Sequence, residues 1–275
     1  MPDFQALAGD CRAIRNDIID AAFKARSGHC GGSLSAAEII WTLYHEVLRI
    51  KPDDPQWPDR DRFVLSKGHA APALYAVLAR RGYFPIDTMT TLRRTGSILQ
   101  GHPDMRKTPG VEMSSGSLGM GISVGVGMAL AARLARKEWR VYVLVGDGEL
   151  QEGQNWEGIA TAAKYRLDRL TVIVDRNGVQ LDGTTEQVMP MRDIGAKLRA
   201  FGLETRDCDG HDCRSVHEAL LWAQQASGSV RAVVAATVKG KGVPFMEGQS
   251  AWHGKPLSEQ DYATAKAALA TREAA

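Results

Sequence analysis

The sequence predicts an α/β protein built on a parallel sheet with helices on both faces. Segments of strand and helix character alternate along its 275 residues, the pattern of a parallel sheet covered on both sides. Two β-branched runs, Val141 to Val145 and Leu170 to Val174, bracket an Ala-rich, helix-compatible stretch from Trp156 to Tyr165, which makes one βαβ unit with a right-handed crossover. Both runs, and a third over 230–238, stop at polar loops: Gly146-Asp147-Gly148, Asp175-Arg176-Asn177 and Lys239-Gly240-Lys241-Gly242. The carboxyl ends of parallel strands are where open α/β sheets bind ligands. An apolar content of 44% is enough for a substantial core, and one domain over 1–275 is expected rather than two small ones.

Along the chain, Ile14, Ile18 and Ala22 give Cys11 to Arg26 a helical spacing that ends at Ser27-Gly28-His29-Cys30-Gly31-Gly32. Ser35 followed by Glu38 reads as a capping box for a helix running to about Leu48. Lys51 to Arg60, with three prolines, is a loop. Phe63-Val64-Leu65 is a short buried strand, turned by Ser66-Lys67-Gly68-His69 into a helix ending near Gly82. Thr95 to Met113 is punctuated by Pro and Gly and reads as a long loop, a kind that is usually functional or disordered. Ser115-Gly116-Ser117-Leu118-Gly119 opens a small-residue helix leading to Arg140. Further helices are expected over Arg192 to Phe201, Asp212 to Gln225 and Ser258 to Thr271. Strands are expected over Leu203 to Cys208 and Val230 to Val238, with a second long loop over Lys239 to Pro256. No internal repeat is visible.

A net charge of +2 without a lysine or arginine block argues against nucleic acid or an anionic membrane as partner. Cys11, Cys30, Cys208 and Cys213 follow no metal-ligand spacing, so free thiols in a reducing, cytoplasmic compartment are expected. Met1 to Asp10 lacks the basic start and apolar centre of a signal peptide. The apolar stretch Ser117 to Ala132 is shorter than the roughly 20 residues of a bilayer span and reads as a buried helix.

The chemistry of the central unit follows from its residue types. Asp147 and Asn177, 30 positions apart, emerge at the ends of parallel strands, and one carboxylate with one amide oxygen suits magnesium, which favours phosphate-bearing ligands. Gly146 and Gly148 let backbone N–H groups approach a phosphate. Taken singly, Asp-Gly and Asn-Gly are ordinary turn dipeptides; together, they mark a magnesium diphosphate site. Gly146-Asp147-Gly148 followed by Asn177 also resembles the thiamine diphosphate fingerprint, and Gly-Asp-Gly-Glu-Leu-Gln-Glu-Gly with Asp-Arg-Asn-Gly resembles its transketolase version. The resemblance implies a thiamine diphosphate-binding fold, thiamine diphosphate with Mg2+ (or Ca2+ or Mn2+) as cofactors, and the backbone carbonyl of Val179 as third metal ligand.

Four histidines stand in strings that resemble transketolase segments: His29 in Ser-Gly-His-Cys-Gly-Gly, His69 in Leu-Ser-Lys-Gly-His-Ala, His102 in Gly-His-Pro-Asp and His253 in Ala-Trp-His-Gly. The bland alternative for each is a hydrogen-bonding loop residue. The resemblance implies contacts to cofactor phosphate, His69 among them, or to substrate hydroxyls, and a share in proton movement, for which a neutral imidazole that donates and accepts is suited. The family usually has proline after the first of these histidines, where this chain has Cys30; the change removes a fixed φ and puts a thiol beside the site. Glu152 has two readings, a first-turn acid complementing a helix dipole or, by resemblance, a subunit-interface carboxylate in a proton relay between cofactor sites. Gly116 and Leu118 resemble positions lining the cofactor pocket, with core packing the alternative for Leu118. Asp209, His211, Asp212 and His217 imitate a metal cluster, but His211 and Asp212 are better explained by a strand-to-helix turn capped by Asp212.

The resemblance covers nearly the whole chain yet corresponds only to the first domain of a full-length transketolase. Thiamine diphosphate supplies carbanion stabilisation, and in the family a glutamate on a pyrimidine-binding domain activates its aminopyrimidine; no segment here resembles that domain. The chain is therefore expected to be the N-terminal subunit of a split transketolase, moving a two-carbon ketol unit from a ketose to an aldose, as sugars or sugar phosphates. It would act with a C-terminal subunit in a heterotetramer of two chains of each kind. The rivals are a subunit of an enzyme acting on a 2-oxo acid, such as a deoxyxylulose phosphate synthase, and a non-catalytic binding paralogue.

Overall fold

The computed structural model describes residues 2–225 and 227–270. Strands β1 (Arg62–Leu65), β2 (Val141–Gly146), β3 (Leu170–Arg176), β4 (Glu204–Asp209) and β5 (Arg231–Ala236) form one sheet in the order β1-β2-β3-β5-β4, every neighbouring pair parallel. Val141 pairs with Leu170 and Gly146 with Asp175, so β2 and β3 end together and deliver Asp147 and Asn177 to one edge.

Side chains alternate across the sheet because the strand period is two. Val141, Val143 and Val145 pack with α5 (Gly121–Leu134), α6 (Gly153–Lys164) and α8 (Ile194–Ala200), whereas Tyr142 and Leu144 pack with α1 (Phe4–Lys24), α4 (Ala71–Arg80) and α9 (Cys213–Gln224). Both faces being covered is the reason β2 is apolar at every position up to Gly146. The small residues of α5 allow its close approach: a Cβ on Gly125 would lie 2.5 Å from Val143. Among the described residues, no helix is long and apolar enough to cross a membrane.

Three local readings differ from the structure. α1 begins at Phe4 rather than Cys11, because the Asp3 carboxylate caps it by accepting from the Gln5 and Ala6 N–H groups at 3.1 and 3.0 Å. The Ser35–Glu38 capping box does not form. Ser35 already closes a helix, α2 (Cys30–Ser35), and α3 (Ala37–Thr42) follows, ending in a π turn over Leu43–Val47. The Ser35 hydroxyl instead donates to Asp175 at 2.6 Å, and Glu38 turns inward to Arg15 at 2.6 Å; buried partners outcompete the local cap. No regular element lies between Thr91 and Gly121, which includes the expected Thr95–Met113 loop, and the helix expected to open at Ser115–Gly119 begins only at Gly121. A single turn, α7 (Thr185–Val188), follows the Asn177 loop, and α10 (Glu259–Ala270) closes the described chain against α1; Thr271, expected to end it, lies outside the described residues.

Candidate functional site

The loops after β2 and β3 touch. Asp147 is 3% exposed, and its carboxylate accepts from the Gly148 N–H at 2.9 Å and the Gly178 N–H at 2.6 Å, locking the two loops together. The Asn177 side-chain oxygen accepts from the Val179 N–H at 3.1 Å, and the Val179 carbonyl accepts from Lys239 Nζ at 3.3 Å. Burial, and then the nearby Asp175, push the Asp147 carboxyl up to about 6. No Lys, Arg or His lies within ion-pair distance of Asp147 among the described residues, although such pairs are common elsewhere in the chain.

Beneath these loops is a buried polar layer that the motif reading passed over. Lys67, at the end of β1, pairs with Asp175 on β3, and both are buried. Burial pushes Asp175 up, but Lys67, with Ser35 and Thr237, outweighs it and holds the carboxyl below the ordinary range. Lys239, from the β5 loop, is also buried and reaches Val179 and His253 Nδ1, the latter at 3.1 Å. It has no carboxylate at ion-pair distance among the described residues, and burial with the Lys67 charge lowers it to about 8. Glu149 accepts from the Gly119 N–H at 3.0 Å and the Gly146 N–H at 3.1 Å, which ties the Leu118 loop to the Asp147 loop.

All four predicted histidines converge. Ring centroids of His29 lie 6.1, 5.6 and 5.8 Å from those of His69, His102 and His253, and His69 and His253 are 4.6 Å apart. Burial is the first cause of a lowered pKa in each, followed by Arg93 for His29 and His102, Lys67 for His69 and Lys239 for His253. His29 and His253 fall to about 4. Near neutral pH the cluster is therefore uncharged, and because Arg93 and Lys239 can only donate, Nδ1 of His29 and of His253 is taken as an acceptor, which leaves each of these rings an Nε2–H to donate. His29 sits at φ 75° ahead of α2, held by its N–H to the His253 carbonyl at 3.1 Å and by Ser33, which donates to the His29 carbonyl at 2.8 Å. A Cβ on Gly32 would lie 3.0 Å from His69 Nε2, so only glycine leaves that ring its place.

The remaining candidates separate. A cavity of about 180 Å³ is lined by Gly32, His69, Leu118, Asp147, Asn177 and His253 among others, which puts Leu118 at the site. Gly116, at φ 149°, packs its backbone against His102, where a Cβ would come within 3.2 Å. Glu152 also borders the cavity and precedes the first residue of α6 without capping it through its side chain. Cys30 is fully buried as the first residue of α2, and burial pushes its thiol up to about 12; it is an unreactive thiol at a helix position that suits proline equally well. Asp212 caps α9 through the Arg214 N–H at 3.0 Å, and no metal cluster of acids, histidines or cysteines exists among the described residues.

The donor set suits a hard divalent cation and a phosphate. Asp147, Asn177 and the Val179 carbonyl are all oxygen donors, each oxygen keeps a lone pair beyond its present hydrogen bond, and a buried carboxylate without a cationic partner is what a metal ion would satisfy. Lys239 presents the complementary positive charge to an anion, whereas the Gly146 and Gly148 N–H groups, expected to approach a phosphate, are already taken by Glu149 and Asp147.

An α/β sheet carrying a cluster of oxygen donors and neutral histidines at its carboxyl edge defines a protein that binds a diphosphate cofactor. Residues 8–274 match the family model described as transketolase, thiamine diphosphate binding domain. The chain is 43% identical over 263 residues to a 6-deoxy-6-sulfo-D-fructose transketolase subunit of Clostridium sp. (strain MSTE9), covering 96% of each. It is 43% identical over 253 residues to an apulose-4-phosphate transketolase subunit of Actinobacillus succinogenes, covering 92% of this chain and 91% of that one. The solved transketolase from Leishmania mexicana superposes with a TM-score of 0.91 at 34% identity, over 98% of this chain but 42% of that one. The chain belongs to the transketolase family, as its thiamine diphosphate-binding part.

Proposed function

We propose that this chain is the N-terminal subunit of a split, cytoplasmic transketolase, a single cofactor-binding domain over 1–275 that works with a C-terminal chain in a heterotetramer of two chains of each kind. The observation that carries this reading is the cluster of four uncharged imidazoles, two of which, His69 and His253, line the same cavity as the buried Asp147 carboxylate. Asp147, Asn177 and the Val179 carbonyl would hold Mg2+, with Ca2+ or Mn2+ as substitutes, His69 and Lys239 would hold the diphosphate, and Gly146 and Gly148 would line its place in the cavity. Gly116 and Leu118 would face the cofactor's rings. Bound thiamine diphosphate supplies the nucleophilic carbon and the electron sink.

The chain's own residues would bind, orient and move protons. His29, His102 and His253, neutral near pH 7, would hold substrate hydroxyls and pass protons without placing fixed positive charge beside them. Glu152, at the rim, would meet the partner and join a proton relay across the interface. The partner would contribute the glutamate that activates the aminopyrimidine. Substrates would be a ketose donor and an aldose acceptor, as phosphates or with another terminal anion, in keeping with relatives named for 6-deoxy-6-sulfo-D-fructose and apulose 4-phosphate.

The test is calorimetric titration of thiamine diphosphate into the co-purified pair, with and without magnesium, alongside a donor and acceptor screen including both of those sugars and fructose 6-phosphate. Magnesium-dependent binding, and ketol transfer only with the partner present, are expected. Robust transfer by the isolated chain, or consumption of pyruvate by the pair, would contradict the proposal.

A further inference from the structure

Away from the cofactor cleft, α1, α3 and the start of α9 enclose a second cluster of reactive groups. Cys11 and Cys213, 202 positions apart, face each other with sulfurs 3.9 Å apart, and both are buried. The hydrogen bond between them pushes the Cys11 thiol up, with burial adding to it, and the same bond lowers Cys213. Either sulfur can donate across the contact, and the lowered pKa gives Cys213 the larger share of the thiolate character that reacts with oxidants. One turn along each neighbouring helix, Arg15 pairs with Glu38 at 2.6 Å, and Glu38 also meets His211 Nδ1 at 3.0 Å.

This cluster reaches the cofactor site through His211, two positions before Cys213. His211 Nε2 accepts from the Val238 N–H at 2.8 Å. A backbone N–H can only donate, so Nδ1 carries the proton and donates to Glu38. Val238 precedes Lys239, whose ammonium holds the Val179 carbonyl and His253.

We propose that Cys11 and Cys213 form a redox-responsive dithiol whose oxidation to a disulfide releases the His211 clamp on Val238 and so loosens Lys239. With a hydroperoxide as oxidant, the Cys213 thiolate attacks the peroxide oxygen, giving a sulfenic acid and releasing water. The Cys11 thiol then displaces a second water to form the S–S bond, so two thiols and one hydroperoxide become one disulfide and two waters, or a water and an alcohol from an organic hydroperoxide. Closing the present 3.9 Å to the roughly 2.05 Å of a disulfide draws the start of α9 and α1 together. His211, adjoining that start, moves with it while β5 stays fixed in the sheet.

The experiment uses the full chain under hydrogen peroxide. Denaturing alkylation and peptide mapping are expected to find a Cys11–Cys213 cross-linked peptide, with Cys30 and Cys208 still alkylated. Hydrogen exchange in the peptide spanning Val238 and Lys239 is expected to speed up on the order of tenfold, return to normal with dithiothreitol, and stay unchanged by peroxide in Cys213→Ser. Neither readout depends on the proposed enzymatic function. Cys11 and Cys213 both remaining free after treatment overturns the dithiol. A disulfide that leaves Val238 exchange unaltered, or faster exchange in peroxide-treated Cys213→Ser, overturns the coupling.

Discussion

Replacing Asp147 with asparagine separates what this residue does for the empty chain from what it does for a bound metal. Its carboxyl rises from an ordinary 3.8 to about 6 in the fold, and at 1.36 kcal/mol per unit that amounts to roughly 3 kcal/mol of unfavourable charge burial near pH 7.5. A raised folded pKa on an acid means the penalty is full above about 6, fades as the pH falls toward 3.8, and is gone below that. The introduced amide removes the charge but has one acceptor oxygen, so it serves one of the Gly148 and Gly178 N–H groups and forfeits the other, a loss of about 1–3 kcal/mol. Without metal, Asp147→Asn is expected to match or exceed the parent by roughly 0–2 kcal/mol at pH 7.5, and to lose about 1 kcal/mol of that relative standing at pH 5. With metal the order reverses. A divalent cation relieves the same roughly 3 kcal/mol in the parent alone, so magnesium-dependent cofactor affinity should fall by about 100-fold or more. Thermal unfolding in a chelator at both pH values, paired with titration of magnesium and thiamine diphosphate, measures each half. A metal-free variant less stable than the parent by several kcal/mol would refute this electrostatic reasoning, as would undiminished magnesium dependence.

Three further outcomes are expected. Gly32→Ala should push His69 aside, because the new methyl would sit 3.0 Å from Nε2; cofactor affinity drops about 10-fold or more while the urea midpoint moves little, as read by calorimetry and denaturation. Lys239→Met should keep the fold and weaken diphosphate binding about 10-fold to 100-fold by titration, with Lys239→Arg recovering part of the loss. Glu38→Gln should destabilise the chain by about 3–5 kcal/mol in urea at pH 7, because it leaves the Arg15 charge buried and unpaired. Burial would raise the Glu38 carboxyl, but Arg15 and His211 outweigh it and hold it at about 2. The parent's advantage is therefore present above about 4.5 and fades as the pH falls toward 2.

Strand ends were legible because their information is local. Val141 to Val145 reads as a strand buried on both faces, and the Gly146-Asp147-Gly148 at its end as a turn at the ligand edge; β2 and β3 end in register as that reading required. Histidines were legible for another reason: each stands in a short string that resembles a known segment, and the fold brings all four rings within about 6 Å of His29 or His69. Lys67, Asp175 and Lys239 were harder. Lys67 lay inside one of those strings, Asp175 read as the last residue of a strand, and Lys239 marked only a loop. Ser35 and Glu38 were misread, since a spacing of three is a valid cap in an isolated helix and carries no notice of the buried Asp175 and Arg15 waiting for the same side chains.

Hydrophobic periodicity and turn chemistry act over a few residues, so the α/β class, the parallel sheet and the placing of Asp147 and Asn177 together at its carboxyl edge could be read along the chain. The Lys67–Asp175 layer beneath the cleft, the depressed basicity of the four imidazoles, the absence among the described residues of an ion-pair partner for Asp147, and the Cys11–Cys213 contact could not. Each joins residues tens to hundreds of positions apart, and each depends on how far water is excluded once the sheet and its helices close around them. Burial sets those charges and pairings, and burial is a property of the packed chain rather than of any stretch of it.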